Sequence, residues 1–106
     1  MIGPFEVRYT SQAREDLLRL HRFMLQQAET LEELDDADDA VAALFAAIEG
    51  QLSRNPFLFR KVGRDPFTRE LVIPFKTSGY VDLYDINADA TIDILAVRHQ
   101  LEDDYH

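Results

Sequence analysis

Cysteine is absent from the 106-residue chain. That removes disulfides, thiolate-held zinc and thiol nucleophiles together. It also suits a reducing compartment, so the expected location is the cytoplasm. Apolar runs of the roughly 18–20 residues that cross a bilayer are missing too, and no membrane association is expected. The start, Met1-Ile2-Gly3-Pro4-Phe5-Glu6, has neither the basic segment nor the apolar stretch of a secretion signal. Lysine is limited to Lys61 and Lys76. There is no glycine-rich phosphate loop and no serine nucleophile elbow. His21, His99 and His106 are scattered, and no carboxylates join them at ligand spacing, so neither metal nor cofactor is expected. The cluster Asp35, Asp36, Asp38 and Asp39 lacks the glycine and closing glutamate of an EF-hand loop, and fits a solvated helix start.

What the chain has is enough for a fold. Hydrophobic residues make up 46%, which excludes disorder and suits one domain over residues 1–106. A core of this size is modest, so a bound partner would add usefully to stability. The net charge is −9, from 20 acidic residues against 11 lysines and arginines, which is unlike a general nucleic-acid binder. The average hides a basic window. Arg54, Arg60, Lys61, Arg64, Arg69 and Lys76 face only Asp65 and Glu70, so this stretch nets +4 and the rest −13. A local positive face on an acidic protein is the implication.

The patterning changes period along the chain. Phe5-Glu6-Val7-Arg8-Tyr9 alternates as a half-buried strand does. Thr10 and Ser11 are N-cap residues, and Ala13, Leu17, Leu20, Met24 and Ala28 then recur at helical spacing, joined by Leu18 and Leu25. This predicts a helix from about Ser11 to Ala28. The acidic stretch Glu29 to Asp36 breaks the pattern and reads as a connection or as frayed helix ends. A second helix carries Val41, Leu44, Phe45, Ile48 and Leu52, and Asn55-Pro56 ends it.

After Pro56 the period becomes two. Residues 69–75, 80–86 and 91–98 are strand candidates, with Pro74 marking an end or an edge and Thr77-Ser78-Gly79 a turn. In the last strand Ile92, Ile94 and Ala96 are expected on one side, and Asp93, Leu95 and Val97 on the other. Tyr80 and Tyr84, four apart, share a face and read as sheet packing. The expected class is α+β: an N-terminal strand, an α-helical hairpin, then an antiparallel β-meander, with one sheet packed on two helices.

One ordered set of segments points further. It runs Asn55-Pro56, Arg60-Lys61-Val62, Arg69 to Phe75, Ser78 to Tyr84, then Ile94 to Gln100, with Tyr105 near the end; Tyr9-Thr10-Ser11 and the Ala13 to Leu18 helix start add to it. Together they resemble the RelE/ParE family of bacterial toxins, which includes proteins labelled plasmid stabilisation proteins. The resemblance spans nearly the whole chain and implies the toxin half of a type II toxin–antitoxin system, neutralised by a cognate antitoxin in a hetero-oligomer. ParE-like members inhibit DNA gyrase. RelE-like members cut messenger RNA on the ribosome without metal.

For the second activity the resemblance offers Arg69 as a phosphate-holding strand arginine, Arg98 and His99 at the end of the last strand, and Tyr105 as a C-terminal tyrosine. Such cleavage needs a base, an acid and cations for the phosphate charge. Lys61 and Lys76 are further cations for that role. The acidic balance disfavours approach to ribosomal RNA, and the lysines on which RelE-like sites lean are few. The ParE-like alternative, a gyrase inhibitor rather than an enzyme, is favoured; a member that only binds its antitoxin is the third. The antitoxin is expected to lay an amphipathic helix in an apolar groove between helices and sheet, its acids meeting Arg60, Lys61, Arg64 and Lys76.

Overall fold

The computed structural model describes residues 4–75 and 78–100. Strand β1 (Glu6–Tyr9) leads into helix α1 (Ser11–Gln27). Thr10 makes the junction: its hydroxyl accepts from the Ala13 N–H at 3.2 Å and donates to the Ile94 carbonyl at 2.7 Å. One side chain thus caps the helix and ties it to the last strand.

The acidic stretch is not a connection. Helix α2 (Leu31–Leu52) begins inside it, and only residues 28–30 separate the helices. Thr30 explains the early start. Its hydroxyl accepts from the Glu33 N–H at 3.1 Å, an N-cap, and donates to the Glu33 carboxylate at 3.3 Å. Glu32 and Glu33 lie in the first turn, where the helix dipole favours negative charge. A short 3₁₀ turn (Pro56–Leu58) follows, then β2 (Arg60–Lys61), β3 (Thr68–Phe75), β4 (Ser78–Ile86) and β5 (Thr91–His99).

One sheet results, in the order β1-β5-β4-β3-β2. The meander is antiparallel as the pattern implies, but β1 joins β5 in parallel, pairing Glu6 with Thr91 and Tyr9 with Ile94. Two-residue β2 escaped the sequence pattern. Gly79 lies inside β4, opposite Pro74, and not in a turn. Pro74 is tolerated because β2 pairs only with Arg69 and Glu70, so β3 is itself the sheet edge at Pro74.

The helical hairpin covers one face of the sheet. Ala13, Leu17 and Leu20 of α1 and Leu44, Ile48 and Leu52 of α2 meet Leu71, Ile73, Tyr80, Tyr84, Ile86, Ile92, Ile94 and Val97. Each large side chain in this layer contributes about 1.5–3 kcal/mol through burial. The inward set of β5 differs from simple alternation. Leu83 pairs with Ala96 but Tyr84 with Ile94, so Leu95 is an extra residue and the strand changes parity there. Ile92, Ile94 and Val97 therefore join the core cluster, and Ala96 does not.

The same register carries polar groups onto the covered face. Asp82 sits between Tyr80 and Tyr84 on β4, opposite Leu71 and Val97, and is fully buried. Asp16 of α1 is also buried, and its Oδ2 accepts from the Val97 N–H at 2.9 Å just past the bulge.

Candidate functional site

Two surfaces and one interior cluster carry chemistry. The first surface is a groove of about 370 Å³ between α1 and α2, lined by Tyr9, Leu17, Leu18, Val41 and Phe45 with Arg14 and His21 beside them. Leu18 remains 61% exposed there. The Tyr9 and Phe45 rings meet edge to face at 5.3 Å, and His21 Nε2 lies 2.8 Å from Asp38 Oδ1, bridging the helices. The expected groove between helices and sheet is thus an outer groove of the hairpin. None of its lining comes from the basic window.

That window forms the second surface. Arg60 and Lys61 on β2 and Arg64 after the Gly63 turn are all exposed, beside exposed Phe57, Leu58 and Phe67. Gly63 has φ of 72°, the left-handed region that glycine enters without a Cβ penalty. Both acids of the window are engaged. Glu70 pairs with Arg60 across the ladder, and Asp65 Oδ1 accepts from the Phe67 N–H at 2.8 Å. Among the described residues no carboxylate pairs with Lys61 or Arg64. Lys76 lies outside the described residues.

Arg69 is on the covered face beneath this surface. Its Nε donates to the Pro66 carbonyl at 2.8 Å, and its Nη1 donates to the carbonyls of Phe57 at 2.9 Å and Phe59 at 2.8 Å. Its guanidinium also lies 5.4 Å from the centre of the Phe57 ring. The neighbouring Tyr84 hydroxyl donates to the Pro56 carbonyl at 2.5 Å. Arg69 and Tyr84 together hold the segment 56–67 against the sheet.

The structure does not bring the sequence-derived cations together. Arg69 pairs with Tyr84 and His99 with Tyr80, four residues apart on β4, which is roughly 13 Å along a strand. The His99 ring stands edge-on to Tyr80 at 5.4 Å. Arg98 neighbours His99 and faces the opposite side of the sheet, beside Val81. Tyr105 lies outside the described residues. Sequence reasoning missed the groove side chains as a group. The signal available was the width of the stripes, since Leu18, Val41 and Phe45 flank the rows that reach the core.

The interior cluster is titratable. Burial pushes the Asp82 carboxyl well above the usual carboxylate range. Burial first, then the charges of Glu49 and Asp82, raise the Tyr9 phenol. Tyr84 is raised by burial, against the opposing pull of Arg69. Among the described residues, the Tyr9 hydroxyl and both Asp82 oxygens have no hydrogen-bond partner. At the other end of the sheet, a hydrogen bond from Thr91 chiefly lowers the Asp89 carboxyl.

A family model described as the ParE toxin of the type II toxin–antitoxin system parDE matches residues 7–104. Comparison with curated proteins gives no match. Among solved structures, the chain is similar to one from the toxin–antitoxin complex RelBE2 of Mycobacterium tuberculosis. They share 26% identity with a TM-score of 0.64, over 96% of this chain and 98% of that one. It shares its fold with a chain of the chromosomal ParDE toxin–antitoxin system of P. aeruginosa, at 15% identity and a TM-score of 0.67 over 90% of this chain and 95% of that one. It also shares it with an arginine-substituted mutant of the E. coli toxin RelE in the free state, at 12% identity and a TM-score of 0.53, over 90% and 82% of the two chains.

Proposed function

The chain belongs to the ParE toxin family of type II toxin–antitoxin systems, and from that premise we propose that it inhibits DNA gyrase and is silenced by a cognate antitoxin. One observation carries the preference for gyrase over messenger RNA. The best-placed nuclease cation, Arg69, already donates to three backbone carbonyls, and neither Arg98 nor His99 converges on it. General acid–base cleavage needs its groups within hydrogen-bond reach of one scissile phosphate. The net charge of −9 supports the same preference, because it opposes approach to a polyanion.

Purified toxin free of antitoxin is expected to stop gyrase supercoiling while leaving ribosome-bound messenger RNA intact. Codon-positioned cuts with normal supercoiling would reverse the assignment.

The antitoxin has two complementary surfaces to use. Apolar side chains of an amphipathic helix fit the groove over Leu18 and Phe45, and acids fit the unpaired charges of Lys61 and Arg64 at the sheet edge. Charge reversal at Lys61 and Arg64 is expected to slow association roughly tenfold in low salt, and the difference should shrink above the screening range. Stopped-flow association at two salt concentrations measures it. Identical rates in low salt would remove the electrostatic contact and leave the groove as the docking surface.

A further inference from the structure

The most unusual group in the molecule is one that neither surface uses. Asp82 is 0% exposed, stands at the middle of β4 on the face covered by the helices, and offers two carboxyl oxygens that accept nothing from the described residues. Each of its strand neighbours is packed core: Leu71 and Val97 across the ladders, Tyr80 and Tyr84 along the strand. A bare carboxylate in such a place costs several kcal/mol. The uncharged acid costs only its unmade hydrogen bonds.

We propose that Asp82 is a proton-held latch between the sheet and the helical hairpin: the chain folds with this carboxyl protonated, and loss of the proton to solvent loosens α1 and α2 from the sheet. The charged and titratable groups around it offer no compensation. From β1 comes the Tyr9 hydroxyl, itself buried and without a partner among the described residues. Of the acids, Asp16 on α1 is spent on the Val97 N–H and Gln12, and Glu49 on α2 adds negative charge near Tyr9. From β3 comes Arg69, whose donors already hold the 56–67 segment. Tyr80 and Tyr84 flank Asp82 on β4, with the Tyr84 hydroxyl given to Pro56. On β5, His99 lies a diagonal step away, stacked edge-on against Tyr80.

The direction of the pH effect follows from linkage. A buried acid whose ionisation is deferred in the folded state leaves that state holding more protons than the unfolded chain. Its contribution is complete below the unfolded carboxylate range, near the ordinary value of 3.8. It is lost progressively as pH rises toward the folded value. Removing the titration while keeping the shape separates this effect from that of the other acids.

The test compares thermal unfolding of the full chain, Asp82→Asn and Asp82→Leu from about pH 4 to about pH 9. Asp82→Asn is expected to melt roughly 4–8 °C or more above the unsubstituted chain at the alkaline end, a gap of about 1 kcal/mol or more, closing toward the acid end. Infrared spectra of the folded chain at neutral pH should show a protonated-carboxyl stretch that Asp82→Asn lacks. A gap that does not vary with pH, or a neutral-pH spectrum without that band, would overturn the latch. Should the amide disturb folding, Asp82→Leu carries the same comparison, because it also cannot ionise.

Discussion

Arg69→Ala is expected to lower the thermal midpoint of the chain by roughly 10–20 °C, corresponding to about 2–3 kcal/mol for a domain of this length. The side chain collects the carbonyls of Pro66, Phe57 and Phe59 with one planar fork and lies under the Phe57 ring. Alanine releases all three and removes the aliphatic stem. The aromatic contacts Phe5–Phe57 and Phe57–Phe67 then lose their anchor. Some of the loss is recovered by water, because the loop is exposed, which keeps the figure below that of a fully buried network. Arg69→Lys should recover little, since an ammonium on a flexible stem does not reproduce the fork. Differential scanning calorimetry measures both variants. An arginine whose only role was to grip a phosphate would leave the midpoint unchanged when removed, and that result would reopen the nuclease assignment.

The second large effect is expected at Gly79. A Cβ placed there meets the Ile73 carbonyl oxygen at 2.7 Å and the Pro74 Cα at 3.2 Å, both backbone, as well as the Gln100 side chain at 2.6 Å. The glutamine moves aside; the neighbouring strand does not. The Gly79 carbonyl also accepts from the Gln100 N–H at 2.9 Å, so shifting β4 disturbs both ladders. Gly79→Ala should cost about 1–3 kcal/mol as overpacking does, and Gly79→Val more. Chemical denaturation midpoints with unchanged slopes would report this. A midpoint equal to that of the parent chain would mean that β3 and β4 separate at their ends without penalty. Gly50 is the control, because a Cβ there meets nothing within 4 Å.

Much of the architecture is legible in the order of the periods. The stripe Ala13, Leu17, Leu20 marks α1, Val41 to Leu52 marks α2, and three runs of period two mark the meander. The acidic segment misleads because charge at a helix start looks like a linker until Thr30 and Glu33 are read as a cap. The parallel partnership of β1 and β5 has no local signature, since nothing in either segment names the other. The β5 bulge is equally silent, because strict alternation and a one-residue insertion are both compatible with Ile92 to Val97. Arg69 is visible as a residue but not as a clamp, because its acceptors are main-chain carbonyls, which every sequence possesses. Asp82 is hidden by parity. Tyr80 and Tyr84 join the core beneath the helices and draw the carboxyl between them inward, while the more apolar Val81 and Leu83 alternate onto the other face.

The parallel pairing of Glu6 with Thr91 has a consequence in time. During synthesis β1 emerges well before β5, the neighbour it pairs with. Helix α1, tied through Thr10 to Ile94, is likewise left without its sheet contact until then. The contacts that complete the molecule therefore rank among its most distant in sequence, which slows closure of the fold. The sheet cannot be complete while β5 is still inside the ribosome. That order gives the nascent chain a period in which the hairpin is present and the sheet is incomplete.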